Sequence, residues 1–457
     1  MEFIESTVAA VSDFLWGWPL IIVLCGTGIY FTLRLGFVQV FRFGDGIKRV
    51  FGGIKLFGGD ADSSGISSFQ ALATAISAQI GTGNLAGAAT AILSGGPGAI
   101  FWMWMSAFFG MSTIFAEATV AQEYKTTVDG NVTGGPAYYI KAAFNNSGLG
   151  KALATIFSLL IIFALGFMGN MVQSNSIGSA FKTAFGIKPW VVGLFLAVVA
   201  GFIFIGGISR IAHFAEKVVP AMAVIYIAGG CAVLVMNYDM VIPAFASIFK
   251  YAFTPQAFAG GVLGAGIKEA IRFGVARGLF SNEAGLGSTP HAHAVAKVEH
   301  PCAQGVTAMI GVFIDTFVVL TMTALVVVIY MLRNITPQTV ISEFPTGIDL
   351  AQAAFASTFG SFGNIFIAVC LLFFAFTTII GWYFFGEANV KYLFGKKAVP
   401  VYAILVLGFV LLGSFLKVDL VWTLSDLFNG LMVIPNLIGL IALSSVVSKL
   451  YKEYKNK

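Results

Sequence analysis

The apolar run from Ser67 to Leu93, SSFQALATAISAQIGTGNLAGAATAIL, carries Gly81-Thr82-Gly83-Asn84 at its middle, where a helix is expected to break. A break exposes two kinds of backbone group. The N–H groups that start the following half-helix sit at the positive end of its dipole and favour an anion such as a carboxylate. The carbonyls that end the preceding half suit an ammonium or a small hard cation. An amino-acid zwitterion offers one group to each, and a sodium ion can share the remaining carbonyls where hydroxyls complete its shell, as the oxygen preference of other hard cations implies. Thr377-Thr378, in the apolar run LLFFAFTTIIGW, are suitable hydroxyls. Their ordinary use in such a helix is a bond to their own backbone or to a neighbouring helix.

The surrounding elements must then be membrane helices. Hydrophobic residues make up 58% and charged residues 10% of the 457, against roughly 25% charged in soluble domains. So few charges cannot cover a water-facing surface. Apolar stretches at 18–33, 98–121, 152–181, 190–207, 217–236, 302–332, 361–386, 398–416 and 427–447, many near the ~20 residues that span a bilayer, join the Ser67 segment and one at 256–281. The expectation is an all-α integral membrane protein with eleven transmembrane helices. In hydrocarbon an unwound turn at mid-depth is tolerated only where it is buried in protein or lines a cavity, so the chain reads as a transporter. The first span follows an acidic, aromatic N-terminus without basic residues or a small-residue cleavage site, and is expected to stay as a mature helix.

A second interrupted span is expected at 256–285, with Gly274 and Gly278 bracketing a weak turn. Glycine costs about 1 kcal/mol per helix residue relative to alanine, although close helix packing accounts for glycine equally well. Two breaks, in the second and seventh spans, lie an odd number of spans apart and so run in opposite directions. That is the layout of an inverted repeat whose broken helices meet at mid-membrane. The expected organisation is one transmembrane domain over 1–457: an extra helix and loop at 1–65, a first repeat at 66–240 and a second at 256–450.

Alternating the loops places eighteen of the 26 Lys and Arg on one side and five on the other. The positive-inside rule then puts the N-terminus outside and the C-terminus in the cytoplasm of a multi-pass cell-membrane protein. The net charge of +5 expresses that bias, with acidic lipid headgroups as partners and no nucleic acid. Cys25, Cys231, Cys302 and Cys370 lack CxxC spacing and read as small hydrophobes. His291 and His293 lack two further ligands for a metal and read as solvated loop residues. Glu117, Lys268, Glu269, Arg272, Arg277 and Glu283 lie in or near spans, where ionisable groups face an interior or a partner; Glu269 pairing with Arg272 or Arg277 across the second break would brace or gate it.

The segments SFQALATAISAQIGTGNLAGAATAI, GGPGAIFWMWMSAFFGM, VTGGPAYYI and ARGLFSNEAGLGSTPHAHA together resemble the alanine/glycine:cation symporter family, also called the sodium:alanine symporter family. The resemblance implies a leucine-transporter-like fold, ten core helices in a five-plus-five inverted repeat preceded by one extra helix. It implies sodium-driven uptake of alanine and glycine. Carried residue by residue, it gives the substrate carboxylate to the Thr82 and Gly83 amides beside Asn84. Sodium goes to carbonyls near Ser77 and Ile80, the Phe374 carbonyl, and the Thr377 and Thr378 hydroxyls. The amine goes to carbonyls near Phe273 and Gly274, with Ala276 alongside, and Gln79 and Asn170 are further polar contacts. Phe273, Trp382 and Phe167 would crowd the pocket to small side chains, while Trp382 also fits an interfacial anchor. Gly274 aligns with a hydroxyl that holds a second sodium in some relatives of the fold, which favours a single sodium here.

Other classes remain to be weighed. A channel needs a continuous pore and often symmetric subunits. A hydrolase needs a nucleophile with an oriented base, and the four histidines, His213, His291, His293 and His300, are expected at or outside the membrane boundaries. No enzyme is expected. Proton coupling through Glu117 or Glu269 is the nearest rival to sodium.

Overall fold

The computed structural model describes residues 2–52, 65–254, 266–335, 344–416 and 418–456. Residues 256–265 of the expected seventh span, and Lys55, Lys417 and Lys457 of the charge count, lie outside the described residues. The chain opens with α1 (Glu2–Leu15) and α2 (Trp18–Arg34), joined at Gly17, with a proline at the start of α2 where its missing N–H costs little. There follow the interrupted pair α3 (Ser68–Gln79) and α4 (Ala88–Gly95), then α5 (Gly98–Glu123). Next, α6 (Gly148–Ile161) runs through a π-helical stretch into α7 (Asn170–Phe185), ahead of α8 (Pro189–Phe204) and α9 (Gly207–Met236). The second half holds α10 (Ile267–Asn282), the short α11 (Pro290–Ala294), and α12 (Pro301–Val312), which runs through another π-helical stretch into α13 (Thr321–Asn334). It closes with α14 (Ser361–Phe394), α15 (Val399–Gly413) and α16 (Val418–Ala442).

Among the described residues, eight helical runs are long and apolar enough to cross a membrane, and α8 is a shorter apolar helix. The α3–α4 and α10–α11 segments are interrupted and add to these. Outward-facing positions are apolar, as at Phe202, Ile205, Val401 and Ile404, while the interior holds buried Thr, Asn, Gln and Glu. That distribution suits a lipid surround, where the outer surface needs no polar cover and polar groups find partners only inside.

Central α5 packs along α10 and α12. Small residues allow the approach: a Cβ at Gly274 would lie 2.4 Å from the Ala99 carbonyl, and one at Gly305 would lie 2.8 Å from that of Phe115. Packing, then, explains Gly274. α10 is unbroken through Phe273, Gly274 and Ala276 and ends only at Glu283, which takes a left-handed conformation (φ 58°). The second break therefore falls at 283–289, about three helical turns later than the sequence led us to expect. The glycines that mark it are Gly285 and Gly287, both at positive φ, where the missing Cβ is a backbone requirement.

Entry into α3 is fixed by a capping box. Ser67 Oγ accepts the Gln70 N–H at 3.0 Å and Gln70 Oε1 accepts the Ser67 N–H at 3.0 Å. Ile66–Ser67 also pairs in parallel with Ala296–Lys297, so the start of one interrupted segment is stitched to the end of the other.

Candidate functional site

The first break opens because its amide donors are diverted. Gly81 N–H, which in a continuous helix would reach the Ser77 carbonyl, donates to Asn84 Oδ1 at 2.9 Å. Thr82 N–H, due to reach Ala78, donates to Gln173 Oε1 of α7 at 3.1 Å. Ile80 between them is extended (ψ 94°). The Ser77 and Ile80 carbonyls are thus released from the helix and turn toward α14. There Thr378 Oγ lies 2.9 Å from the Ser77 oxygen, 3.2 Å from that of Ile80 and 3.0 Å from that of Phe374. Thr377 Oγ lies 2.9 Å from the Phe374 oxygen and 3.4 Å from that of Ser77. Two hydroxyls carry one proton each, too few to satisfy these carbonyls in every contact. Five oxygens from two distant parts of the chain converge with a shortage of donors, and all five residues are nearly or fully buried. Such a cluster suits a small hard cation.

Gly81 stands at the hub. A Cβ there would lie 2.5 Å from Thr378 Oγ and 3.0 Å from Gln173 Oε1, so the oxygen cluster and the Thr82 amide share one wall. Thr82 and Asn170 are fully buried, and Thr82 Oγ and Asn170 Oδ1 have no hydrogen-bond partner among the described residues. An orphaned buried polar atom is costly unless something else meets it. Gln79 instead has a structural bond, Nε2 to the Asn282 carbonyl at 2.8 Å, with Oε1 unpartnered among the described residues.

Three residues with no assigned role in the sequence reading enter here. Gln173 holds Thr82, as above. Asp315, in the π-helical stretch Phe313–Leu320, accepts from Asn84 Nδ2 at 2.6 Å, from Ser281 Oγ at 3.0 Å and from Thr316 Oγ at 2.8 Å. Ser281 also faces Gly83, whose Cβ would lie 3.0 Å from its Cα. Ser281 with its hydroxyl, not Gly274, therefore stands opposite the first break, and the ground for excluding a second cation falls. The available signal was an acidic residue in the middle of the 302–332 span.

At the second break, Glu283 N–H closes on the Leu279 carbonyl at 2.9 Å, Ala284 N–H goes to Asn282 Oδ1 at 3.1 Å and Gly285 N–H to Glu117 Oε2 at 3.0 Å. The Phe280 and Ser281 carbonyls lose their usual backbone donors, whereas those of Phe273 and Gly274 stay inside the helix. Glu117 also accepts from Asn436 Nδ2 at 2.7 Å, and Tyr139 donates to Asn436 Oδ1. Glu117 is thus a brace of the opened backbone. Trp382 donates Nε1–H to Glu283 Oε1 at 2.5 Å, sets its ring edge-on to Phe280 at 6.1 Å and is 2% exposed, a buried side chain and not an interfacial anchor. Its indole abuts Gly169, where a Cβ would lie 2.5 Å from Cζ3. Phe167 is committed elsewhere, stacked on Phe409 of α15 at 4.6 Å.

The expected Glu269–Arg272 pair is present, though within one helix and not across the break, while Arg277 pairs elsewhere. Arg277 forms two bonds to Asp426 of α16, at 3.0 and 2.8 Å, over the Trp422 ring. Arg272 reaches Asp13 of α1 at 2.6 Å, and Glu269 is 3.9 Å from Arg272 on the same helix. The Arg277 and Arg272 pairs with aspartates join α10 to neighbouring helices, the Glu269–Arg272 pair stays within α10, and none crosses the break. A cavity of about 730 Å³ is lined by Arg277, Trp422 and Asp426 together with Asn175, Ser176 and Thr90. His291 and His293 are buried, at 2% and 1% exposure, and not solvated: His291 accepts from Asn389 Nδ2 at 2.8 Å and lies 2.7 Å from the Ser288 carbonyl, which fixes the proton on Nδ1.

Comparison with known proteins fits this architecture. The fold is similar to that of MhsT in complex with L-phenylalanine, with a TM-score of 0.58 at 11% identity over 84% of this chain and 97% of that one. At that identity the likeness is one of fold alone. The sequence is 44% identical to the sodium/alanine symporter AgcS of Methanococcus maripaludis over 98% of this chain and 96% of the relative. It is 41% identical to the probable sodium/glutamine symporter GlnT of Bacillus subtilis over 99% and 91%. The sodium:alanine symporter family matches residues 1–457, and the chain, a membrane transporter and not an enzyme, belongs to that family.

Proposed function

We propose that the chain imports small neutral amino acids, alanine and glycine, in symport with sodium by alternating access. The carrying observation is the Thr378 hydroxyl set among the Ser77, Ile80 and Phe374 carbonyls, with Thr377 beside it. Sodium is proposed to sit among these five oxygens. The substrate carboxylate meets the Thr82 and Gly83 amides beside Asn84, with Thr82 Oγ and Asn170 as further polar contacts. The ammonium meets the Phe280 and Ser281 carbonyls at the second break, in place of Phe273, Gly274 and Ala276. The names of the relatives AgcS and GlnT support sodium and an amino acid as the coupled pair. Eleven spans in a five-plus-five inverted repeat, with the N-terminus outside and the C-terminus in the cytoplasm, complete the reading.

Purified protein in liposomes decides it. Labelled alanine is expected to accumulate under an inward sodium gradient and not under a proton gradient. Accumulation with protons alone would replace sodium in the mechanism, and equilibration without accumulation would make the chain a facilitator.

Trp382 is proposed as the wall that limits substrate size. Trp382→Ala removes a buried indole and is expected to admit valine, measured as competition with alanine uptake, while raising the alanine KM by about tenfold through loss of contact. An unchanged competition profile would remove Trp382 from the pocket.

A further inference from the structure

We propose that Glu216 of α9 is a further cation site, a step at which sodium leaving the five-oxygen cluster is held before it enters the cytoplasm. The inference rests on the sodium reading above, in which α9 starts at the cytoplasmic face. Glu216 is 2% exposed, and neither carboxylate oxygen has a hydrogen-bond partner among the described residues. The ion pair within its reach is with His213, whose Nδ1 lies 2.8 Å from Oε1, whose ring is 60% exposed and which carries a charge only when protonated. A carboxylate inside a membrane span that is buried without hydrogen bonds calls for a cation. The backbone adds to it. Pro220 lies inside α9 and has no N–H, so the Glu216 carbonyl four residues back loses its helix donor. Helix carbonyls point toward the C-terminal end, here toward Met222. The position of Glu216 relative to the cluster follows from packing. α9 runs along both α3 and α14, the helices that carry the cluster oxygens. Glu216, Val219 and Met222 follow one another along its buried stripe, and Met222 Sδ lies 3.8 Å from Thr377 Oγ. Six residues at 1.5 Å each set Glu216 about 9 Å along the helix from that contact, on the side of water-exposed His213. A small hard cation crossing such a distance without oxygen ligands would pay a heavy desolvation cost, and the Glu216 oxygens lower it midway.

A bracing role, in which Glu216 only pairs with His213 to hold α9, gives different results. Glu216→Gln keeps the volume and removes the charge, Glu216→Asp keeps the charge, and His213→Gln removes the pair and leaves the carboxylate. Each variant is assayed in liposomes for net alanine uptake under an inward sodium gradient, and for exchange of labelled against unlabelled alanine with saturating sodium on both sides. The rise in melting temperature on adding sodium is measured in detergent. Exchange proceeds with sodium retained in the cluster, whereas net uptake needs it released. Glu216→Gln is therefore expected to lower net uptake by at least ~10-fold, the scale of one lost contact to a charged group, while exchange stays within about threefold of wild type and the sodium-induced rise is kept. Glu216→Asp should recover most of the lost uptake, and His213→Gln should take up alanine at a rate within about threefold of wild type. Net uptake by Glu216→Gln within about threefold of wild type overturns the proposal. So does a parallel fall in exchange, no recovery by Glu216→Asp, or a His213→Gln defect as large as that of Glu216→Gln. Absence of sodium-driven alanine accumulation by the wild type would instead overturn the sodium reading itself.

Discussion

Gly81→Ala is expected to abolish sodium-driven alanine uptake, with a loss of at least ~100-fold in initial rate. The added methyl would sit 2.5 Å from Thr378 Oγ and 3.0 Å from Gln173 Oε1, so either the oxygen cluster or the Thr82 contact must open. Overpacking of this kind costs about 1–3 kcal/mol, and here the distortion falls on the groups assigned to sodium and carboxylate. The measurement is uptake into liposomes alongside a melting curve in detergent. Gly26→Ala is the control, because no neighbouring atom lies within 4 Å of its Cβ position, and that variant should transport as the wild type does. Uptake by Gly81→Ala within tenfold of wild type would show that the break tolerates a side chain and that the cluster is not the working site.

Thr378→Val is the second large effect. It keeps the shape of the side chain and removes the hydroxyl that lies within 3.2 Å of three carbonyls. A hydrogen bond or ligand contact to a charged group is worth about 1.5–3 kcal/mol, so sodium activation should weaken by about 10- to 100-fold while the maximal rate at saturating sodium falls less. The sodium dependence of alanine uptake reads this directly. Thr377→Val should have a smaller effect, since its hydroxyl is 3.4 Å from the Ser77 oxygen and mainly answers its own helix at Phe374. Equal sodium activation in wild type and Thr378→Val would take Thr378 out of the cation site.

Bilayer physics made much of this legible in the sequence. Low charge, long apolar runs and a Gly-Thr-Gly-Asn interruption already imply membrane helices with one opened at mid-depth, because hydrocarbon offers unpaired backbone no water. The segment 67–93 broke where its glycines stood, since Asn84, three residues on, is near enough in sequence to cap the opened amide. The second break was misplaced for a related reason. Glycine both permits unwinding and permits close packing, and only the neighbour decides: Ala99 against Gly274 made it a packing glycine, while the positive φ of Gly285 and Gly287 made those the turn. Pairings across hundreds of residues were beyond the reach of local chemistry for the same reason. The run AISAQI does not by itself reveal that Ser77 will meet Thr378, which came only from the family resemblance, nor does NMVQS reveal that Gln173 will take the Thr82 amide. Arg277 chose Asp426 of α16 over the nearer Glu269, and His291 was buried against Asn389. Local backbone chemistry is written within a few residues, so the sequence determined that the chain spans a membrane and where it first opens. Which side chains complete the site depends on how separated helices pack, and that the tertiary structure alone decided.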